Sequence, residues 1–198
     1  ENITLKYTDS NIFANSEMTL DVYTQDIENV FFFSPNLANP DEGYDGGQSI
    51  IRSEKRGARA TFNTAVDFDG VEATFIYGID ALKDTTSQPL VDGRVWVPEM
   101  EMDSLAGFLQ TKWVISDDVI VKAGVRRESI DLSVDDYETL KLCRSETQCS
   151  VPLQVTGDTI DYDATTYNIA IKYNWSDSFS PFFNYSQGSD IADIGRLL

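Results

Sequence analysis

The chain has 198 residues, with 15 Lys and Arg against 33 Asp and Glu and no His, a formal net charge of −18. So acidic a chain excludes nucleic acid as a partner, because phosphate binding needs cations to displace counterions; without His it also lacks the usual general base and the commonest transition-metal ligand, so it is read as no enzyme. At 41% hydrophobic and 12% aromatic it is too apolar to stay unfolded and is read as one folded domain.

Period-two alternation recurs from end to end, the pattern of an all-β chain. Residues 2–8 set Ile3, Leu5 and Tyr7 on one face, and residues 17–33 do so with Met18, Leu20 and Val22, with a change of phase near Gln25. Residues 58–68 follow with Ala60, Phe62 and Val66, then Val71, Ala73, Phe75, Tyr77 and Ile79 alternate with Glu72, Thr74 and Asp80. Leu105, Leu109, Trp113 and Ile115 oppose Gln110 and Lys112, and Val119, Val121, Ala123 and Val125 alternate with Lys122, Gly124 and Arg126. The clearest strand, residues 163–175, carries Tyr167, Ile169, Ile171, Tyr173 and Trp175 on one face and Asn168, Ala170, Lys172 and Asn174 on the other. A last strand runs from Ser180 to about Gly188. This makes an antiparallel up-and-down meander of about eight strands.

The connections alternate in length. Those at residues 9–16, 67–70, 116–118 and 176–179 are short; those at 34–50, 81–103 and 132–161 are long and hold most of the Pro and both Cys. Short turns at one end and long loops at the other are the pattern of an outer-membrane barrel. Aromatics beside the short turns, Tyr7, Phe68, Trp113, Tyr173 and Trp175, form a girdle for a membrane interface. The opposite face carries Lys6, Asp21, Arg59, Asn63, Glu72, Lys112, Lys122, Arg126, Lys172 and Asn184. Such a face wants water, so the strands read as part of a wide transmembrane barrel, since one closed from only eight strands fills its interior with side chains. Cys143 and Cys149, with five residues between them in a polar segment, are expected to be bonded, against free thiols or, without His, metal binding.

An ordered series of short motifs resembles the barrel of TonB-dependent outer-membrane receptors. It runs from Tyr77-Gly78-Ile79-Asp80 through Ala106-Gly107-Phe108-Leu109-Gln110, Trp113, the Ser116-Asp117-Asp118 turn and Lys122-Ala123-Gly124-Val125-Arg126. It continues with Tyr167-Asn168, Trp175, Phe183-Asn184-Tyr185-Ser186-Gln187-Gly188 and Ile191-Ala192-Asp193-Ile194-Gly195-Arg196-Leu197-Leu198. Order and spacing carry the resemblance, from about Ala58 onward. It implies a barrel of about 22 strands around a plug, in the outer membrane of a Gram-negative bacterium, importing ferric siderophores or similar scarce nutrients. Residues 1–198 would then be an internal stretch of that barrel, with coupling to the TonB complex through a plug outside it; no cofactor is implied. One departure is Gly188-Ser189-Asp190-Ile191-Ala192, where the family pattern has Gly-Phe-x-x-Pro; it leaves the substrate subclass open.

The residues expected to touch a ligand are the loop aromatics Tyr44, Trp96 and Tyr137, since stacking and hydrogen bonding suit iron chelates. Arg126 and Arg127 invite a role in gripping an anion, but Arg126 lies on the polar face and is expected to pair with lumen carboxylates. The acidic groups Asp41, Glu42 and Asp45, and Asp131, Asp135, Asp136 and Glu138, lack the spacing of a Ca²⁺ loop and read as solvated. Gly43, Gly46 and Gly47 are loop glycines, with no strand and helix to make a phosphate cradle. The competing class is a soluble β-sandwich binding or adhesion module, which two-faced strands alone permit.

Overall fold

A computed structural model describes residues 1–145 and 148–189. The strands are β1 (Asn2–Phe13), β2 (Ser16–Val30), β3 (Ile50–Phe68), β4 (Val71–Pro89), β5 (Val95–Ser116), β6 (Val119–Val134), β7 (Tyr137–Glu138), β8 (Cys143–Ser145), β9 (Gln148–Cys149), β10 (Gln154–Val155), β11 (Asp158–Tyr173) and β12 (Phe182–Gln187). Eight of them form one antiparallel sheet in the order β1-β2-β3-β4-β5-β6-β11-β12, and the rest make two small ribbons, β7 with β10 and β8 with β9. This is the expected meander, including the hairpins β5–β6 and β11–β12. The motif Ile191–Leu198 lies outside the described residues.

Register fixes which side chains share a face. One row joins Asp21, Arg59, Asp80, Ala106, Glu128 and Ala164, and the next pleat over joins Val22, Ala58, Ala81, Leu105, Ser129 and Asp163. The two faces sort as expected: the first is polar, and the second is apolar toward the turn end. Leu5, Ile79, Leu105, Ile169 and Phe183 of that second face are 70%, 60%, 60%, 41% and 61% exposed, so nothing among the described residues covers it. Because the sheet is a single layer among the described residues, it lacks the second sheet that a sandwich needs.

The strands run further than alternation predicts. Residues 81–103, expected as a long loop, are the upper parts of β4 and β5 joined through Leu90–Arg94; the connection expected at 132–161 shrinks in the same way, between Val134 and Asp158, and β3 starts at Ile50 where its strand was expected from Ala58. The phase change near Gln25 is absent too: β2 pairs with β3 without a bulge from Ser16 to Val30. The cause is common to all these sites. Outward positions in register at this level are Arg56, Lys83, Asp103, Asp131 and Asp161. Here both faces meet water, so hydrophobic alternation vanishes while backbone pairing continues. The 22 residues of β5 span about 70 Å, well beyond the ~30 Å apolar core of a bilayer.

At the turn end, tight connections are closed by Asn15 and Asp69, both at φ 56°, a left-handed conformation that Asn and Asp tolerate, with Gly70 following at φ 94°. Beside them the aromatics stack: Phe68 on Trp113 at 5.7 Å, Phe62 on Tyr77 at 5.4 Å and Tyr173 edge-on to Trp175 at 5.9 Å. The best-buried apolar side chains of the loop end are Leu37, Leu90, Ile50 and Cys143, where loops stack on one another.

Candidate functional site

Two arrangements could meet a ligand: a charged patch on the polar wall and a layer of packed loops above it. On the wall, β4 and β6 bring Asp80 and Arg126 to one face, two strands apart. Arg126 donates from Nη1 to Asp80 Oδ2 at 2.6 Å and from Nη2 to Asp80 Oδ1 at 3.0 Å, the forked geometry that guanidinium and carboxylate favour. It also donates to Glu128 at 3.1 and 3.3 Å, Ser104 Oγ donates to Glu128 at 2.5 Å, and Arg59 reaches Asp80 at 3.2 Å. The Asp80 side chain is 11% exposed, so it requires these donors. Arg126 thus pairs with wall carboxylates, as expected, while Arg127 points the other way, to Asp163 at 3.2 Å. Arg59, Thr61, Phe108, Gln110, Asn168 and Ser186 border an open concavity of about 630 Å³ beside this cluster.

The loop layer is organised by Arg94. Its Nη1 donates to the Leu37 carbonyl and its Nη2 to the Gly46 carbonyl, each at 2.8 Å; it pairs with Asp92 at 2.7 Å and lies 4.0 Å from the centre of the Tyr44 ring. Only 9% of its side chain is exposed. A Cβ at residue 47 would come within 3.0 Å of this guanidinium, so Gly47 leaves the room it occupies. Hydrogen bonds from Arg94 hold the Asp92 carboxyl below the usual carboxylate range. A third segment joins in: the Cys143 N–H donates to the Ala38 carbonyl at 3.0 Å, and Lys141 pairs with Asp41 at 2.5 Å. Cys143 and Cys149 are disulfide-bonded as expected, facing each other across the β8–β9 ribbon with Cα atoms 3.9 Å apart.

The expected ligand aromatics are not brought together. Tyr44 lies in its loop but is already occupied by Arg94. Trp96 is on strand β5, not in a loop, and 43% exposed, because β5 begins at Val95. Tyr137 belongs to β7 and pairs with Val155. Among the described residues no group of three or more carboxylates or thiols converges to hold a metal ion. Sequence reading missed Arg94, whose only signal is its place after Asp92-Gly93, and the exposed run Phe31-Phe32-Phe33, of which Phe32 is 96% exposed.

Over residues 2–197 the sequence matches the family described as "TonB dependent receptor-like, beta-barrel". It is 22% identical over 218 residues to the ferric aerobactin receptor of Klebsiella pneumoniae, covering 98% of this chain and 29% of that protein. It is 23% identical over 215 residues to the rhizobactin receptor of Rhizobium meliloti, covering 98% and 28%. The chain therefore spans under a third of the length of these relatives. Among solved structures, the copper transporter OprC superimposes with a TM-score of 0.71 at 11% identity, covering 93% of this chain and 30% of that one. The closed form of the ferric-catecholate import receptor Fiu from E. coli does so with a TM-score of 0.65, also at 11% identity, covering 93% and 32%. At such identities these two likenesses speak for the fold.

Proposed function

This chain belongs to the TonB-dependent receptor β-barrel family, and from that premise we propose that it forms one wall and part of the extracellular loop layer of an outer-membrane receptor importing a ferric siderophore. One observation carries the reading: the outward face of the sheet is a broad exposed apolar band bounded by an aromatic girdle at one end and charges at the other. Lipid satisfies such a band and water does not. The inward face carries the Asp80–Arg126 cluster and suits a wet lumen. Capture falls to the loop end, where Trp96 and the Phe31–Phe33 run are open to a ligand and Tyr44 becomes so only if it parts from Arg94. Passage would be driven from the inner membrane through the TonB complex, acting on a plug outside residues 1–198.

The test uses the full-length receptor in a strain lacking other siderophore receptors. Radioactive iron carried by aerobactin should enter only when the receptor gene is present, and uptake should stop when the proton gradient is collapsed. Iron entry that ignores the gene for aerobactin, catecholate and citrate chelates alike would overturn the reading.

A further inference from the structure

The outward face carries a groove where the apolar band gives way to charge. In register across β2, β3, β4 and β5, Val22, Ala58, Ala81 and Leu105 form one row, and Thr24, Arg56, Lys83 and Asp103 form the next outward row toward the loops. Two alanines between two branched side chains leave a low floor, which Ala60 continues one pleat toward the turns, between Leu20 and Ile79. The floor ends at the stacked rings of Phe62 and Tyr77, about 20 Å along β3 from Arg56. At its upper end it opens into a concavity of about 540 Å³, bordered by Leu5 and Val22 at the side and by Arg56 and Lys83 at the top.

Charge is sorted along the upper row. Arg56 and Lys83 stand opposite each other on neighbouring strands, where like charges repel, and Asp103, Asp131 and Asp161 continue the row. Glu54, which pairs with Arg56, and Glu101, which pairs with Lys83, lie one pleat farther toward the loops, and Asp103 is 4.0 Å from Lys83. Toward the band, the next outward residues on the two cations' own strands are Ala58 and Ala81. Seen from the band, the groove therefore leads to two cations.

We propose that this groove binds one phosphate-bearing lipid of the leaflet on the loop side, with an acyl chain along Ala81, Ala58 and Ala60 and the phosphate at Arg56 and Lys83; this rests on the receptor-barrel reading. Charge complementarity names the head: guanidinium and ammonium both suit phosphate, and the three aspartates steer an anion to the β3–β4 end of the row. The ion pairs that Arg56 and Lys83 make are exposed and weak, so a phosphate exchanges with them readily. Relief names the tail. A rigid partner, a second copy of this wall included, would rest on Leu5, Ile79 and Leu105 and leave the alanines uncovered, whereas a flexible hydrocarbon chain reaches them.

The experiment titrates the full-length receptor, delipidated in an uncharged detergent, with lipid A or with dephosphorylated lipid A, and counts bound molecules by native mass spectrometry. One lipid A per receptor is expected, with the dephosphorylated form held more weakly. R56Q/K83Q should weaken lipid A binding about fivefold or more and leave the dephosphorylated form unchanged, while Ala58→Trp, which fills the floor and keeps both cations, should weaken both forms. Each variant is compared only as protein showing the heat-dependent gel shift of a folded barrel. Equal binding of the two forms, or lipid A binding that R56Q/K83Q leaves intact, would overturn the site. So would displacement of lipid A by millimolar inorganic phosphate, which assigns the cations to a free anion, or a dimer mass in place of a lipid adduct, which assigns the groove to a second copy. All these outcomes leave the barrel reading standing. A full-length protein without the gel shift, in membranes that do not retain it, would sink that reading and this proposal with it.

Discussion

Along β5 the outward side chains run from Trp113, Leu109 and Leu105 near the turn end to Asp103 and Glu101 near the loop end, and pairing with β4 and β6 continues unbroken across the change. The same ladder serves two regions under different rules. In the lower region the outer face is chosen for lipid and tolerates any apolar residue of suitable size. In the upper region both faces are wet, and order comes from individual polar contacts such as those of Arg94. Damage in the first should therefore depend on depth in the membrane, and damage in the second on which partner is left unpaired.

The sharpest contrast comes from placing the same charge at two heights. Leu109→Arg, in the middle of the band, should destabilise the refolded receptor by about 2–4 kcal/mol, whereas Ser133→Arg, outward on β6 opposite Glu101 and beyond the band, should cost under about 1 kcal/mol. Urea unfolding in lipid vesicles measures both, and equal effects would erase the distinction between the regions. Next in size is Asp80→Ala on the inner wall. It strips the forked partner from Arg126 and removes the acceptor of Arg59, and a loss of about 2 kcal/mol in the same assay is expected, since both cations stay partly hydrated.

In the loop layer, Arg94→Ala should leave global unfolding nearly unchanged while residues 34–47 exchange their amide hydrogens about tenfold faster or more, because the Leu37 and Gly46 carbonyls lose their donor. A shift of the whole unfolding curve would mean that the two regions are one cooperative unit. The smallest effect belongs to acid. The Asp92 carboxyl is held below its ordinary value of 3.8, so its ion pair with Arg94 contributes fully above that value and is lost as pH falls through the lowered one. Protection of residues 34–47, corrected for intrinsic exchange, should stay level from neutral pH down to about 5 and fall only in stronger acid, and Asp92→Asn should abolish that fall.

The same division explains what could be read from sequence. Strands were visible wherever one face met lipid and the other water, as at Tyr167, Ile169 and Ile171, and they disappeared above Ala81 and before Ala58, where Lys83, Thr85, Arg56 and Glu54 face out into water. Arg126 could be paired in advance with lumen carboxylates because it sits in an alternating strand, although which carboxylates was a matter of register. Arg94 could not be found, because one cation in a turn has no periodicity to give it away. Trp96 reads as a loop residue because alternation does not reach its end of β5, and nothing in the sequence pattern shows that Arg94 covers Tyr44. The disulfide was legible from close spacing in a polar segment, and the β8–β9 register shows why the two cysteines meet.

The placement of the three tryptophans turns the sheet into an optical depth gauge. Trp113 stacks in the aromatic girdle and Trp175 stands beside Tyr173 at the same end, whereas Trp96 opens β5 at the far end with 43% of its surface free. Fluorescence from the first two should be quenched by lipids brominated near the headgroup and shielded from aqueous iodide, and that of Trp96 should respond in the opposite sense. Emission from this stretch of wall is thus a sum of two environments. A ligand settling on the loops can dim one of them while the other serves as its internal standard.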